Sequence, residues 1–508
     1  MTTVFLGDSF SLDETRLLGR PIANRALVRA ILLCDQIERV VAVGDPAVYQ
    51  SLGDLVTRKL QIANSLPGLL QLFRDNIIDA VFCSSFGMKY AQLVYFRNTA
   101  GASCPVYGFT HTLSYQDEVG AWYRMYCAGV RAQDGILCTS RAAINVVTKQ
   151  MAVIRKTLAL DVDNPRLVHF PLACEAASPL KPVKRSGDYL QVLFIGRLNW
   201  NSKADVLIIP RIARLLPSDH RVRFVIAGAA DNPQYIQLLQ QQSQGLPVRV
   251  VQNVSDEQKQ HLYQQSHVMF SPSDNYQETF GLTVIEAKRQ GCVPVVSDFD
   301  GYRDLVEDGV DGRLLPTCAA RVPQDMFDSQ ILMPNDIYHG WWAAGVSIDA
   351  AETADVLYGL SQDHEVLNAM SASALETSGT WSLDQAAARF GQLVEEARSN
   401  PALDPGRTRV PNPFHIDYSD IFCGYPTCFW SDQQLQVTPQ GQTFMNNPAI
   451  EAVPQVMQLS DFVQLTELVD AIGAVVHQAQ VSRLLTSGVE PLLLSVLLKN
   501  GLIKIGAD

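Results

Sequence analysis

Between residues 267 and 297 the chain passes from one apolar run to another through a glycine turn, a pattern that few folds accommodate. Residues 267–271 read as a buried strand and residues 293–297 as the next; Leu282, Ile285, Ala287 and Arg289 suggest a helix ending at Gly291. The first-turn N–H groups of such a helix have no partner inside it, and its dipole adds positive potential, so the turn invites an anion. Gly281 lets the backbone approach that anion closely. Two carboxylates, Glu278 and Glu286, stand eight positions apart around the same turn. Carboxylates repel phosphate but accept hydrogen bonds from the vicinal hydroxyls of a ribose or a hexose. A nucleotide sugar carries the diphosphate, the ribose and the hexose together. Taken alone, the pair has a plainer reading as solvated glutamates on an amphipathic helix.

The segment has a parallel-sheet context on both sides. Residues 1–178 alternate strand-like runs (4–6, 40–43, 77–84, 105–109, 135–139) with helical patterns such as 26–33. That alternation predicts a doubly wound parallel sheet, with ligands at the C-terminal ends of its strands. A polar, proline-containing linker at 181–187 leads to a second series, with strands at 190–195, 223–228 and 248–251 and a polar helix at 256–265. The strand at 190–195 runs straight into Gly196, Arg197 and Lys203, which sets two cations at the edge of a sheet. Arginine offers phosphate oxygens a bidentate fork, and lysine a compact charge. Solvated loop charges are the alternative.

Composition narrows the class. A chain of 508 residues has room for two or three domains, and 47% apolar with 18% charged residues is ordinary for a soluble enzyme. A net charge of −12 argues against broad nucleic-acid binding. Ten cysteines are scattered, several in apolar runs (Cys83, Cys138, Cys292), which is packing usage in a reducing compartment. Cys423 and Cys428 have no second pair, so no metal site is expected. Asp8 comes too early for a signal peptide, and no apolar run approaches the roughly 20 residues of a spanning helix. A cytoplasmic protein is expected, with peripheral membrane contact left open.

From Glu278 to Glu286, through Thr279, Phe280, Gly281, Leu282 and Thr283, the sequence resembles the Glu-x7-Glu signature of the retaining glycosyltransferases of family four, which have the GT-B fold. The resemblance covers about residues 1–398 and is specific within 190–312. It implies an α/β architecture of two Rossmann-like domains facing a cleft. One spans 1–180 and is completed by a helix at 381–398 that crosses back; the other spans 188–380. It implies transfer of a hexosyl or N-acetylhexosaminyl group from a UDP- or GDP-linked sugar to a glycan, protein or small-molecule hydroxyl, without metal or cofactor. Arg197, Lys203, Glu278 and His111 would be catalytic, and Gly196, Phe280, Gly281, Leu282, Thr283 and Glu286 donor-binding. Glu286 would take the ribose hydroxyls and Glu278 those of the hexose. His111, at the end of the strand 105–109, would reach the sugar from the opposite domain; a satisfied capping histidine is the other reading. Gly7 and Gly19 lie where the family keeps its acceptor loop, although two adjacent glycines are usual there and this chain has Gly19 alone.

Residues 317–348 break the family pattern as an inserted loop. Its Trp341 and Trp342 would stack on an acceptor sugar, dip into a bilayer interface, or anchor the loop. Two amphipathic helices are expected between 350 and 397, the second opening on Ser382 as N-cap. Prolines at 401, 405, 411 and 413 then lead into an accessory domain at 400–508. Short helices at 461–470, 474–485 and 489–499, followed by a strand, make it a small, mainly helical, winged-helix-like unit. The helix at 474–485 has Arg483 as its lone lysine or arginine, which favours a protein or peptide partner over DNA. A catalytically idle scaffold acting through this unit is the competing function, and nucleotide-sugar hydrolysis would separate the two.

Overall fold

The computed structural model of the protein describes residues 1–12, 19–54, 58–175, 188–399, 414, 417, 421–422, 426 and 429–506. The linker at 181–187, prolines 401–413 and the Cys423–Cys428 pair lie outside the described residues.

Seven parallel strands make the first sheet: β1 (Thr3–Leu6), β2 (Arg39–Ala42), β3 (Leu60–Ile62), β4 (Ala80–Cys83), β5 (Val106–Phe109), β6 (Gly135–Cys138) and β7 (Arg166–His169). Their spatial order is β3-β2-β1-β4-β5-β6-β7. Strands β1, β4, β5 and β6 are buried along their whole length, as continuous apolar runs covered on both faces should be. Edge strands β3 and β7 escape sequence reading because they are only half-buried and carry polar residues.

The second sheet has six parallel strands: β8 (Leu190–Ile195), β9 (Val222–Gly228), β10 (Val248–Gln252), β11 (Val268–Ser271), β12 (Val293–Ser297) and β13 (Arg313–Leu315). Their order is β10-β9-β8-β11-β12-β13. Strand order therefore reverses between β1 and β4 in one sheet and between β8 and β11 in the other. Outside the carboxyl ends of the strands at such a switch point, adjacent loops part and leave a crevice. The loops after β8 and β11 carry Arg197, Lys203 and Glu278, and the helix that follows the second loop carries Glu286.

After the second sheet the chain crosses back. Helix Leu383–Ser399 returns to the first sheet and buries Phe390 against Phe82, Phe109 and Phe170, at ring separations of 5.0, 6.1 and 4.7 Å. Ser382 Oγ accepts from Gln385 N, as an N-cap should. Three helices rather than two occupy 350–399: Ala350–Gln362, His364–Thr377 and Leu383–Ser399. The extra break falls at Asp363, whose carboxylate accepts from the N–H groups of Glu365 and Val366 and so starts a new helix.

The inserted loop is folded. Strands β14 (Thr317–Ala319) and β15 (Val346–Ile348) pair antiparallel, and helices Gln324–Ser329 and Asn335–Ala343 lie between them. Trp342 packs edge-on against Tyr276 and Tyr338, as a residue that anchors the loop would.

A second compact unit gathers residues 63–72 and 412–508. Its core includes Phe444, Leu468, Ile472, Leu484 and Leu497. The predicted helices settle at Leu465–His477, Val481–Thr486 and Pro491–Lys499. Helix Pro439–Asn446 and the short Gln455–Gln458 precede them, and β16 (Leu435–Val437) pairs antiparallel with β17 (Ile503–Ile505). Among the described residues, no helix is long and apolar enough to cross a membrane.

Candidate active site

Strand β11 ends at Ser271, and the chain reaches Gly281 before turning into helix Leu282–Arg289. Gly281 has φ +107°, and a Cβ there would stand 2.4 Å from the Tyr302 ring. Both facts exclude other residues. The turn therefore starts the helix directly at Gly281, with its first N–H groups beside Lys203.

Lys203 meets this turn from the loop after β8. Its Nζ donates to Thr283 Oγ1 at 2.6 Å, lies 3.5 Å from Glu278 Oε2 and sits 5.9 Å from the Tyr302 ring centre. Burial works against the ammonium charge, but Tyr302 and Glu278 outweigh it and hold the lysine above its ordinary range. Tyr302 is buried, its hydroxyl 2.8 Å from Ser271 Oγ and pushed up to about 12 by burial. Gly196 leaves Lys203 its path, since a Cβ there would be 3.3 Å from the lysine Cδ. The neighbouring strand end comes so close that a Cβ on Gly228 would overlap the Gly196 carbonyl oxygen.

Glu286, one turn into the same helix, accepts from Lys259 Nζ at 2.8 Å and from Tyr263 OH at 3.1 Å. Asp300, which the sequence did not single out, holds its proton well above the usual carboxylate range because it is buried and beside Glu278. Lys259, Tyr263, Asp300 and Tyr302 carry no local signature; only the fold brings them to the glutamates.

Arg197 does not join this cluster. It is exposed, reaches Gln277 Oε1 at 3.4 Å, and lines a cavity of about 320 Å³ that includes neither Lys203 nor the two glutamates. The expectation that both cations converge on the glutamates is corrected to Lys203 alone.

Across the cleft, His111 follows β5 and its Nε2 donates to the Ser84 carbonyl at 2.8 Å. Because a carbonyl can only accept, Nε2 carries the hydrogen and Nδ1 is left as an acceptor. Burial, then the charge of Arg20, lowers its pKa to about 4. In the unfolded chain the ring takes its proton near 6.5, so the unfolded state binds more protons between those values and stability falls as pH drops through that window. His111→Gln is expected to remove most of this acid sensitivity, at most about 3 kcal/mol. Urea unfolding of both proteins at neutral pH and near the lower pKa checks it; equal losses would contradict the assignment.

Gly7 is needed for packing, since a Cβ there would stand 2.2 Å from Leu93 Cδ1. Gly19 is exposed as the first residue of helix Gly19–Leu33, with nothing within 4 Å of a Cβ. The two sheets meet beside Glu278: Thr139 Oγ1 donates to the Thr279 carbonyl at 3.5 Å, and Arg141 N donates to Asp304 Oδ2 at 2.6 Å.

Residues 180–325 match the model of the family described as glycosyl transferases group 1. A stretch of 179 residues is 30% identical to the phosphatidylinositol N-acetylglucosaminyltransferase gpi3 subunit of Schizosaccharomyces pombe, covering 34% of this chain and 35% of that protein. Another of 127 residues is 29% identical to the phosphatidyl-myo-inositol mannosyltransferase of Mycolicibacterium smegmatis, covering 25% and 32%. The chain thus spans about a third of the length of these relatives. Among solved structures, a glycosyltransferase from Rickettsia africae aligns with a TM-score of 0.52 at 12% identity, over 78% of this chain and 99% of that one. The Anabaena HepE protein in complex with UDP aligns at 0.51 and 13%, over 78% and 100%. At that identity the likeness shows the fold alone. The family match thus falls on the second sheet, and the two parallel sheets of the chain have the GT-B fold.

Proposed function

We propose that the chain is a retaining glycosyltransferase that moves a hexosyl or N-acetylhexosaminyl group from a nucleotide-diphosphate sugar to a hydroxyl acceptor, with protein groups in place of a metal ion. The observation that carries this reading is Lys203 held between Glu278 and Thr283 at the N-terminus of helix Leu282–Arg289, at the switch point of the second sheet. Relatives named as an N-acetylglucosaminyltransferase and a mannosyltransferase support the sugar class.

In this reading the β-phosphate sits on the first turn of the helix, and Lys203 balances the charge that grows as the bond from C1 to the phosphate oxygen breaks. Glu286, fixed by Lys259 and Tyr263, accepts from the ribose hydroxyls, and Glu278 from the hexose. Asp300 keeps its proton and so offers Glu278's neighbourhood a donor rather than a second negative charge. Neutral His111 contacts the sugar from the first sheet. The acceptor oxygen attacks C1 on the face the phosphate leaves, and the departing phosphate oxygen takes the acceptor's proton.

A thermal-shift panel of UDP-, GDP-, ADP- and TDP-sugars, run with and without a chelator, tests the proposal. One base is expected to stabilise the protein with the chelator present. No shift with any base overturns the reading, and a shift that vanishes with the chelator overturns its metal-free part. Glu286→Ala is expected to weaken nucleotide binding about tenfold, as for a lost charge-assisted hydrogen bond. Titration calorimetry checks it, and unchanged affinity would contradict the ribose role.

A further inference from the structure

The cavity beside Arg197 is built in part by the inserted segment. Asn335 and Asp336 open helix Asn335–Ala343 on one wall; Asn199, Asn201 and Gln277 line the same space. The wall is tied in place from both sheets. Asp336 Oδ2 accepts from Asn201 Nδ2 at 3.4 Å, and the Gln277 amide nitrogen donates to His339 Nδ1 at 3.0 Å. His339 Nε2 donates to the Ser114 carbonyl at 3.2 Å, Tyr338 OH donates to the same oxygen, and Gln116 Nε2 donates to the Gln330 carbonyl at 2.7 Å. Gln277, which lines the cavity, is the residue before Glu278, the carboxylate assigned to the donor hexose.

Its chemistry selects a class of ligand. The lining has no aliphatic side chain and one ring, that of Tyr115, which leaves an acyl chain little surface to bury. Asp231 and Asp336 set two carboxylates against the single guanidinium of Arg197, which disfavours a phosphate. Carboxamides both donate and accept, as hydroxyl groups do, and Asn199 Oδ1 is buried there without a hydrogen-bond partner. About 320 Å³ stands at the small end of ligand sites, room for one ring rather than an oligosaccharide.

We propose that this cavity is the acceptor subsite, that it takes one polyhydroxylated ring, and that Asn335 and Asp336 of the inserted segment set its specificity. The proposal rests on the glycosyltransferase reading above. It moves acceptor recognition from the Gly7 and Gly19 region to the second sheet's own insertion. The ring could be the end of a soluble saccharide or the polyol headgroup of a lipid, which share this chemistry.

The test uses the full chain, with and without UDP and GDP. Saturation-transfer NMR is recorded with myo-inositol, methyl α-mannoside, methyl α-glucoside and N-acetylglucosamine. Co-sedimentation is measured with phosphatidylinositol vesicles against phosphatidylcholine vesicles. The variants are Asn335→Ala with Asp336→Ala, the conservative Asp336→Asn, and Asp325→Ala on an exposed turn of the same insertion as control. Binding of at least one probe to the native protein and the control, weakened about tenfold in the double variant, is the expected result. Signals from the soluble rings identify a free saccharide, and retention on phosphatidylinositol vesicles alone identifies a headgroup. No binding by any probe, or binding unchanged in the double variant, overturns the proposal. Should the double variant unfold, Asp336→Asn decides in the same way. A nucleotide shift that persists while ring binding fails leaves the transferase reading standing; loss of the nucleotide shift in the native protein removes that reading itself.

Discussion

Replacing Lys203 with alanine is expected to lower kcat/KM for the nucleotide-sugar donor by about 10²–10³-fold, the usual loss when a group aimed at developing charge is removed. The Lys203 side chain is only 13% exposed, so water screens its charge weakly. Its two anchors, Thr283 Oγ1 at 2.6 Å and Glu278 Oε2 at 3.5 Å, fix it over the helix terminus before substrate arrives. Removing it also leaves Glu278 without its cation, so the donor's phosphates would meet uncompensated negative charge. Lys203→Arg should recover little, because the planar fork is longer and the lysine stem already passes 3.3 Å from the Cβ position of Gly196. The effect should fall mainly on kcat, since the charge it meets grows as the bond breaks. Steady-state kinetics on the folded variant decide the matter. A loss below about fivefold would place the balancing charge elsewhere, with Arg197 the first alternative.

What could be read from the sequence, and what could not, divides along a physical line. Strands β8, β11 and β12 are continuous apolar runs because both faces of their sheet are covered, and helix Leu282–Arg289 ends near Gly291 as its spacing predicts. Strands β3 and β7 are edges, so their half-exposed faces carry no apolar run to find. Residues 317–348 are broken by Pro334, Gly340 and Gly345, and their order comes from tertiary contact. A Cβ on Gly340 would overlap the Trp200 ring, which shows how closely the helix is seated. Sequence spacing set both cations at one edge of the sheet, but side-chain direction is not a sequence property: Lys203 turns toward Thr283 and Arg197 toward Gln277. Asp300 and Tyr302 were illegible for a related reason. Their protonation depends on burial and on Glu278 and Lys203, which the fold alone brings near.

Phe390→Ala is expected to destabilise the two-sheet unit by about 3–5 kcal/mol, the cost of emptying a fully buried aromatic site. Phe390 has no exposed surface and touches Phe82 of β4, Phe109 of β5 and Phe170 beyond β7. Of these, Phe170 stands where the chain leaves the first sheet, and Phe390 where it returns; their rings lie 4.7 Å apart. The core of the first sheet is therefore incomplete until everything from β8 to helix Leu383–Ser399 has been made. That order of assembly couples the two halves more tightly than a linker could. It also bears on the site, because Phe109 is two residues from His111 and a cavity beneath it would loosen the strand end that presents the imidazole. Phe390→Leu, which keeps most of the volume, should cost less than about 2 kcal/mol and leave donor binding intact. Equilibrium unfolding in urea, followed by tryptophan fluorescence and by nucleotide binding, measures both. An alanine variant within about 1 kcal/mol of the native protein would show that the returning helix is not what completes the first core.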